Sequence, residues 1–75
     1  MHGKQENFAY FFSNNVKTIR ENSGMTQKVF AEVMGIDKKT IGSIEEGRSV
    51  NLEKVYLISR KFDYSMDDLL TKILP

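Results

Sequence analysis

The chain has 75 residues and a mass of 8.7 kDa, which is one small domain with no room for a second core or a long catalytic cleft. It holds no cysteine and a single histidine, His2, so neither a disulfide framework nor a structural zinc site is expected to stabilise it. At 40% hydrophobic and 28% charged residues, with a net charge of +1, it reads as globular rather than disordered, and composition alone does not point to nucleic acid.

Residues 1–7 read as a polar tail and residues 8–75 as the domain. The tail carries no apolar stretch of signal-peptide type, and no apolar run approaches the roughly 20 residues that span a bilayer, so a cytoplasmic protein without a membrane partner is expected. Proline occurs only at Pro75 and no segment alternates apolar with polar over a strand length, which makes all helix the natural reading. The first helix is predicted over residues 8–22, with Phe12, Val16 and Ile19 on one face. Gly24 follows, where a helix end favours a residue without a Cβ. Thr26 caps a short second helix with Phe30, Ala31 and Met34 inward, and Gly35 ends it. Asp37 caps a third helix over residues 38–46, anchored by Ile41 and Ile44 and stopped by Gly47. Asn51 caps a fourth over residues 52–62, with Leu52, Val55, Ile58, Ser59 and Phe62 facing inward and Asp63 at its end. Ser65 to Asp68 reads as a capping box that opens a fifth helix reaching about Ile73.

Residues 26–48 carry the functional signal. Two short helices joined by Gly35, Ile36 and Asp37, with small Ala31 beside the turn, form a helix-turn-helix unit. Ala31 lets the second helix cross closely, Gly35 supplies the sharp turn, and Ile36, Ile41 and Ile44 anchor the following helix from beneath. Its N-terminal side chains are then left to project, and an α-helix fits the DNA major groove. The pattern Thr26-Gln27, Phe30-Ala31, Gly35-Ile36, Thr40-Ile41 and Ile44 to Arg48, with Arg20 four residues before Gly24 and Ser65 to Leu70 at the end, resembles the signature of Cro/phage-repressor (Xre-like) helix-turn-helix proteins. The resemblance spans residues 12–70.

That resemblance implies a compact five-helix, lambda-repressor-like domain whose third helix lies in the major groove of double-stranded DNA. Gln27 is then expected to reach a phosphate and to buttress the third helix, with Thr26 and Lys28 beside it. Lys38, Lys39 and Thr40 correspond to positions near base edges and phosphates, Ser43 to a further groove-facing position, and Arg48 to a sugar-phosphate contact. Arg20 and Glu45 correspond to a structural ion pair. The chain departs from the family pattern in a shorter loop after Gly47 that lacks proline, in Gly42 within the third helix, and in Asp63 where glycine is usual.

Charge is balanced over residues 17–48, so the reading rests on geometry and not on net charge. Met66, Leu69, Leu70, Ile73 and Leu74 are more apolar groups than a peripheral helix needs, and Met66, Leu70, Ile73 and Leu74 are expected to meet a twofold mate on a palindromic operator, in a patch that Val50, Tyr56 and Leu57 could extend. A sequence-specific, homodimeric regulator, most simply a repressor, is the leading expectation. A helix-turn-helix module that holds a partner protein, such as an antitoxin or co-regulator, is the alternative. No enzyme, cofactor, metal or small-molecule ligand is implied.

Overall fold

A computed structural model describes residues 7–75; the remainder of the polar tail, His2 included, lies outside the described residues. Five helices follow in order: α1 (Phe8–Asn22), α2 (Gln27–Met34), α3 (Lys38–Glu45), α4 (Leu52–Phe62) and α5 (Met66–Thr71). No strand occurs among the described residues. None of these helices is long and apolar enough to cross a membrane.

The boundaries follow from capping chemistry. Thr26, Asp37, Asn51 and Ser65 each accept a backbone N–H of the helix they open, from Val29, Lys39, Lys54 and Asp68 respectively. Asn7, read with the tail from sequence, does the same for α1 by accepting from Tyr10. At Ser65 only half of the expected capping box forms, because the Asp68 carboxylate turns to Lys72 Nζ at 3.3 Å. Helix ends are closed by paired turn bonds. After α2, Gly35 takes a left-handed backbone at φ 68° and Ile36 N–H donates to Ala31 O. After α3, Gly47 at φ 77° lets Arg48 N–H reach Ser43 O at 3.0 Å. Asp63 adopts the same geometry at φ 61°, which a short polar side chain tolerates.

Apolar faces of all five helices converge on one core. It is built from Phe12, Val16 and Ile19 of α1, Phe30 and Ala31 of α2, Ile36 of the turn, Ile41 and Ile44 of α3, Val55 and Ile58 of α4, and Leu69 of α5. Helix α1 packs against α3 and α5, and α2 packs against α3. Phe62 stacks on Phe30 at 5.7 Å between ring centroids.

Three expectations are corrected. Leu52 was expected inward but is 71% exposed; it sits in the first turn of α4, at the edge of the apolar stripe. The fifth helix ends at Thr71, where Lys72 turns extended, instead of reaching Ile73. The cause is Asn15, a fully buried amide on the apolar face of α1. Its Nδ2 donates to Leu69 O at 3.0 Å and Lys72 O at 2.7 Å, and its Oδ1 accepts from Leu74 N–H at 2.9 Å. Asn15 therefore caps α5 from outside and folds the last residues back over α1. Leu74, expected at a dimer surface, is buried in the domain's own core as a result. Met66 and Leu70 also pack on that core, half-buried, and only Ile73 of the expected four stands out, 50% exposed.

Candidate nucleic-acid interface

The third helix is held from below and from one end. Ile41 and Ile44 are fully buried. Three and four residues apart along a helix mark neighbouring positions on its surface, so the side opposite these isoleucines carries two adjacent rows. One runs Lys39, Ser43, Glu46, and the other runs Lys38, Gly42. Lys38 and Lys39 are exposed, and Thr40 and Ser43 are half-buried on the flanks.

At the far end a buried polar cluster fixes the orientation of α3. Arg20 Nε donates to Glu45 Oε2 at 2.6 Å and Arg20 Nη2 to Glu45 Oε1 at 2.9 Å. A third donor of the guanidinium, Nη1, reaches Met25 O at 3.0 Å. The two side chains are 13% and 5% exposed. This fork-to-carboxylate geometry joins α1 to α3 and removes Glu45 from the outer field. The hydrogen bond to Glu45 raises the pKa of Arg20 further, outweighing burial, with Coulombic help from Glu45 and Glu21.

Gln27 completes the cluster by donating from Nε2 to Glu45 Oε1 at 3.1 Å. One amide N–H is thus committed to bracing α3, and the other has no hydrogen-bond partner among the described residues. The amide oxygen lies beside Gly42, where an added Cβ would come to 3.9 Å. The start of α2 therefore abuts the Lys38–Gly42 row. The Thr26 hydroxyl accepts from Val29 N–H and keeps its own proton for an outside acceptor.

On the other side, the turn after α3 sets Arg48 over Ser43 through the Arg48 N–H bond to Ser43 O, next to the Lys39 row. Gln27 at the start of α2 and the Arg48 backbone after α3 thus border the α3 rows from two sides, and Thr26 and Lys28, the neighbours of Gln27, are exposed. Among the described residues, Lys28, Lys38 and Lys39 have no carboxylate partner, and neither α2 nor α3 has an acidic residue in its first turn. The capping carboxylate of Asp37 offsets one of the two lysines at the start of α3, so each helix start keeps a small net positive charge at the end where the backbone dipole is also positive.

One element of this surface escaped the sequence reading. Glu46 closes the outward row, exposed, with its Oε1 3.1 Å from Arg48 Nε. The spacing 39, 43, 46 is the signal that marks it. The pair is open to water, 74% and 59% exposed, so it holds Arg48 by at most about 1 kcal/mol and yields to a competing phosphate.

Residues 16–69 match the helix-turn-helix family model. The chain is 33% identical over 57 residues to an antitoxin, PezA, of Streptococcus pneumoniae, covering 75% of this chain and 36% of that protein. It is 30% identical over 61 residues to a control protein, C.SmaI, of Serratia marcescens, covering 80% of this chain and 73% of that one. The chain thus spans little more than a third of the antitoxin and most of the control protein. No solved structure matches it.

Proposed function

The chain belongs to the Xre-like helix-turn-helix family of DNA-binding regulators, and from that premise we propose that it is a sequence-specific, homodimeric transcriptional repressor. The observation that carries this reading is the exposed pair Lys38 and Lys39, whose ammonium groups make no ion pair among the described residues, at the tip of a helix that buried isoleucines and the Arg20–Glu45–Gln27 cluster hold in place.

In this reading α3 enters the major groove. Lys38 and Lys39 donate to guanine O6 and N7 or to adjoining phosphates, and Thr40 and Ser43 stand at the groove walls. The second N–H of Gln27, the hydroxyl of Thr26 and the Lys28 ammonium take one phosphate strand. Arg48 leaves Glu46 for the other. The phosphate contacts set register and affinity, and the row on α3 sets sequence. Repression follows from occupancy of a promoter in the cytoplasm and needs no catalysis. A single domain of this size binds weakly, so two copies on a palindromic operator supply the affinity.

Selection of bound duplexes from a random pool tests the proposal. Enrichment of a twofold-symmetric sequence is the expected result. Salt-sensitive binding with no enriched sequence would overturn it. The likeness to the antitoxin favours a second reading, in which the same domain also holds a partner protein. Co-purification of a stoichiometric partner encoded beside it, with no enrichment of DNA, would put that reading first.

A further inference from the structure

We infer that the outward face of α4 is the surface by which two copies of this chain pair, antiparallel, about a twofold axis at Tyr56 and Leu57. The inference deepens the homodimeric reading above and rests on it. Burial of Leu74 and packing of Met66 and Leu70 inside the domain leave the fifth helix little to offer a mate. Helix α4 instead keeps three large apolar side chains in water: Leu52 at 71%, Tyr56 at 47% and Leu57 at 37% exposure.

The order of charges on that face identifies the occupant. Val55, Ile58 and Ser59 face the core, so Glu53, Leu57 and Arg60, spaced four and three apart, form the opposite line. Tyr56 lies beside this line. Its ring is held under Arg60, whose Cζ is 5.7 Å from the centroid and whose Nη1 donates to the Tyr56 hydroxyl at 3.0 Å. The midpoint between Glu53 and Arg60 falls between Tyr56 and Leu57, with each charge about 5 Å away along the helix axis. A copy turned about an axis there brings its Arg60 opposite Glu53 and its Glu53 opposite Arg60, over a centre of paired Tyr56 and Leu57. A parallel copy would instead oppose like charges. Such self-complementarity is what an isologous contact requires. Glu53 is 73% exposed in its contact with Lys54 Nζ at 3.4 Å and is free to turn to a mate.

One helix face is smaller than the roughly 800 Å² per partner of a standard interface. Pairing is therefore weak in free solution, with dissociation in the micromolar range, and is completed on DNA.

The test uses the whole chain without DNA, so its outcome is independent of whether an operator exists. Sedimentation equilibrium should give a micromolar dimer. Glu53→Arg should weaken it at least tenfold by opposing like charges, and Glu53→Arg with Arg60→Glu should restore it to within a fewfold. The chain has no native cysteine, so Leu57→Cys should form a disulfide-linked dimer on oxidation while Ile73→Cys does not. Circular dichroism confirms that each variant folds. A monomer at several hundred micromolar, a dimer indifferent to Glu53→Arg, or cross-linking at Ile73 in place of Leu57 would each overturn the inference. If the dimer behaves as expected but no DNA sequence is selected, α4 pairing stands and the operator reading falls.

Discussion

Replacing Arg20 with alanine should cost about 3–5 kcal/mol. Glu45 is 5% exposed and receives two donors from Arg20. Without them its carboxylate keeps the single Gln27 amide at 3.1 Å, and a stranded buried charge costs that much when its partner is removed. A domain of this length has a total stability of about 4–11 kcal/mol, so Arg20→Ala should lose at least about a quarter of it. Urea denaturation followed by circular dichroism measures the loss. The double variant Arg20→Met with Glu45→Leu separates charge from packing, because it leaves nothing stranded. It should recover most of the stability, yet bind DNA at least several-fold more weakly than the native chain, since Gln27 loses its brace and α3 its anchor to α1. A loss below 1 kcal/mol in Arg20→Ala, or native DNA affinity in the stable double variant, would refute the role given to this cluster.

Three further substitutions probe separate parts of the molecule. Asn15→Ala should lower stability by about 3 kcal/mol, the sum of three hydrogen bonds, two buried and one partly so, at about 1 kcal/mol each. Adding Leu74→Ala should then cost little, because the C-terminal residues are already released; additive losses in urea melts would contradict the clamp. Gly42→Ala should raise stability by about 1 kcal/mol and the melting temperature by roughly 4–8 °C, since the new methyl meets nothing closer than 3.9 Å. It should also weaken operator binding, because Gly42 shares the outer side of α3 with Lys38; a stabilised variant of unchanged affinity would remove glycine from the interface. Lys39→Ala should cost about 1–3 kcal/mol on the selected sequence alone, whereas Arg48→Ala should weaken every sequence alike and reduce the salt slope by about one. Filter binding over a salt series distinguishes the two patterns.

Much of the fold was legible because its punctuation is local. Thr26, Asp37, Asn51 and Ser65 are cap residues immediately before apolar stripes, and Gly24, Gly35 and Gly47 mark left-handed turns, so the bounds of α1, α2 and α4 could be read within a few residues of each signal. The end of α5 could not, because the group that stops it is Asn15, more than fifty residues earlier. A clue was present: Asn15 falls three residues after Phe12 and four before Ile19, a polar side chain on an apolar stripe that must satisfy itself across the core. Leu52 misled for the opposite reason, since its spacing fits the stripe but the first turn of α4 extends past its packing partners. The lysines of α3 were readable as residue types on the outer side of a short helix. Commitment of one Gln27 N–H to Glu45 depends on how α1, α2 and α3 meet, which no local spacing encodes.

The most direct test of insertion by α3 is binding to the selected operator with 7-deazapurines in place of all purines. This substitution removes the N7 acceptors from the major groove and leaves the phosphates and the minor groove intact. Affinity should fall about tenfold or more, and Lys39→Ala, which has already lost its contact, should lose less. Equal affinity of the native chain for the two duplexes would contradict major-groove recognition by this helix.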